Sequence, residues 1–286
     1  YRYPVIGWMQ DLDNMTIEDL SAWYQKWYAP NNATLVIAGD VNPDEVYALA
    51  KKYFGPLPKG EAITVKSLDE VDQKGAKRVT VKRPAELPYL MMAFKTPVVK
   101  PGSEKQENHD WEPYALEVLA GILDGGSSAR IASRLVRGSE IAAGASAGYR
   151  MVSRLDNLFT LSGTPSKGKT VQELEMALRN EVKDLQNNPV TKEELQRVKA
   201  QVISSDVYEK DSVFYQAMIL GTLETVGLSW RLADVYVESI KGVTAEQVMS
   251  VAKKYLVDDR LTVAELDPLP MDGQPRRPRG GNPHAH

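Results

Sequence analysis

The chain has 286 residues, 43% hydrophobic and 26% charged, with no cysteine and a net charge of −3 spread over 35 basic and 38 acidic side chains. This length predicts about two packed units of 100 to 200 residues each, and the interspersed charge gives no basic stripe for nucleic acid. The absence of cysteine removes disulfides, thiolate nucleophiles and thiolate metal sites together, and no apolar run approaches the roughly 20 residues a membrane span needs.

The sequence begins at Tyr1, with no charged and apolar leader pattern after it, so we expect further sequence upstream. Thr16 and Asp19 have the spacing of a capping box, and Leu20, Trp23, Tyr24, Trp27 and Tyr28 follow on one face of a helix. That aromatic face is expected to pack on a sheet. A polar turn leads to a strand-like run at residues 33–38, and Asn42-Pro43 opens a second helix that Gly55-Pro56 closes. Residues 59–76 read as a linker.

Strands are expected at 77–82 and 89–94, followed by a helix over 111–123 with Ala115, Val118, Leu119 and Ile122 inward. Gly125-Gly126 ends that helix, and Ser127 or Ser128 caps the next. Two strands follow at 143–149 and 157–163. Thr170 with Glu173 and Thr191 with Glu194 are further capping boxes opening long helices. The pairs Glu193-Glu194 and Asp258-Asp259 read as solvated acids.

Near the end, Val243 to Leu256 repeats Met15 to Tyr28 without a gap. Thr16 falls on Thr244, Glu18 on Glu246, Lys26 on Lys254 and Thr34 on Thr262, an offset of 228 positions (244 − 16). Val248, Val251, Ala252, Tyr255 and Leu256 reproduce the apolar face, and 261–264 repeats the strand. Register kept through helix, turn and strand points to duplication. The division is then 1–58 as the end of one copy, 59–76 as linker, 77–270 as a nearly complete second copy, and 271–286 as a disordered tail. Strands mixed with long helices in this order imply an α+β sandwich, one antiparallel or mixed sheet with helices on one side.

Chemistry is sparse. A hydrolytic zinc site needs about three ligands and a carboxylate base, yet the three histidines are His109, in a loop, and His284 and His286, in the tail. Neither HExxH nor HxxEH occurs, and there is no GxSxG elbow for a serine nucleophile. No catalytic and no metal-binding residue is assigned.

A resemblance enters here. Tyr3-Pro4 to Gly7, Met15 to Leu20, Trp27-Tyr28-Ala-Pro30 to Val41 and Tyr53-Phe54-Gly55-Pro-Leu-Pro58 resemble the end of the N-terminal domain of pitrilysin/insulinase zinc metallopeptidases, in the processing-peptidase-like bacterial branch. Gly126 to Arg130 and on to Arg137 resembles the C-terminal domain of the same family. The resemblance implies two homologous α+β halves, the first only partly present, closing around a peptide. It also implies that the zinc ligands lie upstream, so that 77–270 is an inactive peptidase domain and this chain binds no zinc itself.

In that family the C-terminal half supplies an arginine and a tyrosine to substrate backbone. Arg137 stands at the arginine's place, whereas Gly144 stands where the tyrosine is expected and the nearest is Tyr149. A surface or salt-bridged Arg137 is the competing reading. Two functions follow: part of the peptide chamber of a zinc endopeptidase, inactive alone, or a non-catalytic partner subunit that binds peptide or a catalytic mate. Partners implied are a peptide or unfolded protein, the N-terminal half or a homologous subunit, and a possible dimer, in the bacterial periplasm or cytoplasm with the periplasm favoured.

Overall fold

The computed structural model describes residues 5–64, 71–105 and 110–271. The chain falls into two compact units, Tyr1–Val71 with Lys210–Thr225, and Asp72–Glu209 with Val226–His286.

The second unit is built on a five-stranded mixed sheet in the order β1-β5-β2-β4-β3, from β1 (Lys77–Pro84), β2 (Tyr89–Thr96), β3 (Ala142–Gly148), β4 (Asn157–Pro165) and β5 (Leu261–Leu269). β1 and β5 run parallel and the other pairs antiparallel. Alternation decides the faces. Leu90, Met92 and Phe94 of β2 line up with Leu161 and Phe159 of β4 and with Val263 and Leu261 of β5, and all seven are buried. Over this face lie α4 (Glu112–Asp124), α5 (Val171–Asn187) and α9 (Ala245–Tyr255), with α6 (Lys192–Glu209) and α8 (Leu232–Gly242) outside them. Burying each of these large apolar side chains contributes about 1.5 to 3 kcal/mol. The α+β sandwich read from the sequence is observed, with helices on one side. On the opposite face Val79, Val81, Tyr89 and Met91 are exposed.

α4 is the central helix. Tyr114, Ala115, Leu116, Val118, Leu119, Ile122 and Leu123 are all buried, because its neighbours α6, α8, α9 and β3 surround it. Gly125 then ends it, donating its N–H to the Gly121 carbonyl at 2.7 Å in a position where a Cβ would collide with that oxygen. The next segment departs from an ordinary helix: Ile131–Val136 forms a single π-helical turn, and neither Ser127 nor Ser128 caps it. Glu140, at φ 52, then turns the chain into β3.

The first unit holds α1 (Met9–Asp13), α2 (Ile17–Trp27), α3 (Pro43–Phe54) and α7 (Val213–Thr225). Two expectations are corrected here. Residues 33–38 join no ladder among the described residues, and a strand needs a neighbour to take its N–H and C=O groups. The aromatic face of α2 lies open: Trp23 is 56%, Tyr24 58% and Tyr28 66% exposed, and no strand of the first unit lies among the described residues to cover it. The rings touch one another instead, Tyr24 and Tyr28 stacking with centroids 4.5 Å apart.

The repeat is nevertheless written into the backbone. Thr16 caps α2 at φ −105, ψ 165 and Thr244 caps α9 at φ −106, ψ 165, each in a complete capping box. The helices end alike, at Tyr28 (φ −91, ψ 67) and Leu256 (φ −89, ψ 58). A 3-10 turn follows each, Pro30–Asn32 and Asp258–Arg260, at the same offset. Within these turns Asn31 Oδ1 accepts the Gly60 N–H at 2.8 Å, and Asp259 Oδ1 accepts the Gly75 N–H at 2.9 Å. The difference between the copies is burial: Val248, Val251, Ala252 and Tyr255 of α9 are covered.

Candidate functional site

Arg137 follows the π-helical turn, which packs against β3. Its guanidinium donates to the Ser127 carbonyl and so ties the end of the turn to the Gly125–Ser128 loop. The side chain is exposed and forms no ion pair among the described residues. The tyrosine that follows is differently engaged. Tyr149 donates its hydroxyl to the Pro97 carbonyl at 2.6 Å and stacks on Phe159 with centroids 6.3 Å apart; burial pushes its phenol well above the ordinary value. It is a packing residue.

β3 is an edge strand of small residues, Ala142 to Gly148. A register shift between Ala142 and Gly144 marks a bulge at the end nearest Arg137. At the other end the Ala147 N–H donates to Asp124 Oδ2 at 3.1 Å, away from β4. Alternation in an antiparallel ladder therefore turns both backbone groups of Ala145 to the open side. Gly163 of β4 allows this close pairing, since a Cβ there would meet the Gly144 oxygen at 2.7 Å and the Ala145 Cβ at 2.8 Å. The opposite edge differs sharply: β1 carries Lys77, Arg78, Lys82 and Arg83, charges of the kind that discourage a further strand.

Beneath the π-helical turn lies an ion-pair network that the sequence did not reveal. Arg130 is 6% exposed; it grips Glu194 through Nε and Nη2 at 2.9 and 2.8 Å, and Asp184 through Nη1 at 2.9 Å. Arg134 adds Glu181 at 2.9 Å and Asp184 at 3.1 Å. Hydrogen bonding to Arg130 holds the Glu194 carboxyl below its usual value, against the cost of burial. One sequence reading is corrected: Glu194 completes no capping box, because Thr191 accepts its N–H while its carboxylate is recruited by Arg130. Glu193, Asp258 and Asp259 are exposed, and the last two also make contacts, Asp258 with Arg179 at 2.9 Å and Asp259 with the Gly75 N–H.

A second missed group is Glu117 on α4, which accepts a hydrogen bond from the Tyr236 hydroxyl at 2.7 Å. Burial raises its pKa, and the charges of Asp206 and Glu209 add to that effect while the Tyr236 bond opposes it. A folded pKa above the unfolded one means that folding favours the protonated form; that contribution is complete below the unfolded pKa and is lost as pH rises through the folded one. Glu117→Gln keeps an acceptor for Tyr236 without a charge. It should raise the melting temperature near neutral pH and change little at pH 4; thermal melts at both values check this, and a variant less stable at neutral pH would contradict it.

No group of three or more His, Asp or Glu side chains among the described residues is placed to hold a metal ion, and His109, His284 and His286 lie outside them. With no HxxEH in the sequence, the donor set does not fit a catalytic zinc.

Residues 14–202 match the family described as peptidase M16 inactive domain. The chain belongs to that family. The metallopeptidase resemblance seen in the sequence is thereby borne out. Zinc protease PqqE of Helicobacter pylori is 27% identical over 285 residues, which cover 94% of this chain and 59% of that protein. The crystal structure of a protease from Helicobacter pylori has a TM-score of 0.83 at 22% identity, over 92% of this chain and 62% of that one. For the periplasmic protease PqqL from Escherichia coli the values are 0.70, 16%, 92% and 29%. At such identities the structures show a shared fold. The chain spans less than two-thirds of the length of each of these relatives. Among the described residues no helix is long and apolar enough to cross a membrane.

Proposed function

We propose that this chain is the non-catalytic, peptide-holding portion of a zinc endopeptidase, with residues 77–270 as its inactive domain, 1–58 as the end of the preceding domain and 59–76 as the linker. The observation that carries this reading is the open β3 edge. It presents unguarded small residues, with Arg137 at its bulged end and Asp124 capping its other end. An extended peptide adds to such an edge through main-chain hydrogen bonds, which bind backbone without reading sequence. Arg137 is the nearby cation for a carbonyl or carboxylate of that peptide.

Zinc and its activated water belong, in this reading, to the part of the protein outside this chain, and the periplasm fits the compartment named for PqqL. The purified chain should hold no stoichiometric zinc and should cleave no fluorogenic peptide, while the parent polypeptide should do both. Chelator-sensitive cleavage by the chain alone would overturn the assignment. A parent lacking HxxEH, still binding peptide without cleaving it, would favour the partner-subunit reading.

A further inference from the structure

The arginines around the π-helical turn differ in what they hold. Arg130 and Arg134 reach acids, namely Glu194, Asp184 and Glu181. Arg137 and Arg197 reach only neutral oxygens. Arg137 donates to the Ser127 carbonyl, while Arg197 donates from Nη1 to Ser128 Oγ at 3.0 Å and to Gln201 Oε1 at 3.3 Å. Neither forms an ion pair among the described residues. Glu193 and Glu194 lie one turn before Arg197 on α6, but Glu193 does not pair with it and both oxygens of Glu194 are held by Arg130. A guanidinium bonded to a carbonyl or a hydroxyl has donors satisfied and its charge unmatched.

Both guanidiniums are anchored on adjacent residues, so their charges converge on one loop. Gly125 ends α4, Gly126 turns at φ 101 with no side chain over the backbone, and Gly126, Ser127 and Ser128 are exposed. The N–H groups of these exposed residues donate to no acceptor among the described residues. Neither serine caps the turn that follows; one lends its carbonyl and the other its hydroxyl to an arginine. Asp124, just before the loop, accepts the Ala147 N–H, so the loop borders the open β3 edge. The planar fork of arginine matches a carboxylate, and cations beside free backbone N–H groups suit a peptide's terminal carboxylate.

We infer that the Gly125–Ser128 loop, with Arg137 and Arg197, binds the C-terminal carboxylate of a peptide, the one that the β3 edge holds. This rests on the peptide-holding reading and deepens it. The family resemblance assigned Arg137 alone, and to uncharged backbone; Arg197, the loop and the negative charge of the ligand are added. An internal stretch of a long chain carries no such charge, so the site selects peptide ends over internal segments.

The amide resonances of Gly126, Ser127 and Ser128 test it in this chain, with N-acetylalanine as the carboxylate and N-acetylalaninamide as its neutral twin. The acid should shift them and the amide should not. Arg197→Gln keeps a donor for Ser128 Oγ and removes the charge, and it should bind the acid at least about 10-fold more weakly, the loss of a charge-assisted hydrogen bond. No shift by the acid, equal shifts by both compounds, or undiminished binding by Arg197→Gln would overturn the inference. So would inorganic phosphate bound as tightly as the acid, which would make the loop a general anion site. The comparison of acid with amide on native protein does not depend on the stability of the variant. Both probes are too short to pair along β3. Loop shifts from N-acetylalanine, with residues 143–147 ignoring an extended peptide, would therefore remove the proposed function and leave the carboxylate site standing. A β3 edge that answers the peptide beside a loop that ignores the acid would do the reverse.

Discussion

Replacing Arg130 with methionine should cost about 3 to 5 kcal/mol of stability, because it leaves the half-buried carboxylates of Glu194 and Asp184 without their partner. Glu194 loses a two-pronged clasp and is 17% exposed, so water replaces little of what the guanidinium supplied. Arg134 still faces Asp184 and Glu181, which holds the loss toward the lower end. The same network ties the π-helical turn to α5 and α6 and thereby fixes the approach to β3. Adding Glu194→Leu to Arg130→Met should return much of the loss, since an ion pair replaced on both sides by apolar groups is close to neutral.

The pH dependence has a definite sign. The Glu194 pKa is depressed by Arg130, and that of Asp184 by Asn188 first and then by Arg134 and Arg130, so their contribution is present above the unfolded carboxylate range and is lost as pH falls through the folded values. Urea unfolding near pH 7 and again in acid should therefore show a gap between native protein and Arg130→Met that narrows in acid. A gap that is absent at pH 7, or that widens in acid, would contradict this description of the network.

What could be read from the sequence was local. The capping boxes at Thr16, Thr170 and Thr244 form as their spacing requires, because side chain and backbone lie within three residues of each other. The strands of the sheet and the inward positions of α4 were legible for the same reason, as period-2 and period-3.6 patterns. Long-range pairing was not. Arg130 and Glu194 are 64 positions apart, and nothing in the order of residues announces that Glu194 abandons its capping box for that partner. Nor does the sequence say that β5 threads between β1 and β2, which makes β3 and β1 the two edges.

The misplaced expectations share one cause. An amphipathic helix and an alternating strand announce that they want cover; they do not announce where it comes from. The sequence predicts cover for the aromatic face of α2 and a strand at 33–38; that face lies open, and the run joins no ladder among the described residues. Arg137 came from the family resemblance alone, and its bond to the Ser127 carbonyl could not have been read from spacing.

The peptide-holding role depends on a few main-chain groups at β3, and Ala145→Pro tests them with little disturbance elsewhere. Its N–H points away from β4, so proline removes no ladder hydrogen bond, and an edge strand is where a sheet tolerates proline. A lysine at 145 would act differently, as a charged guard on the edge. In native protein, titration with an extended peptide should perturb the backbone amide resonances of residues 143–147 and slow the exchange of the Ala145 N–H. With Ala145→Pro the peptide should bind at least about 10-fold more weakly, the loss of roughly one or more net main-chain hydrogen bonds, while the melting temperature stays close to native. Native amides at 143–147 that ignore the peptide, or undiminished binding by Ala145→Pro, would contradict the account.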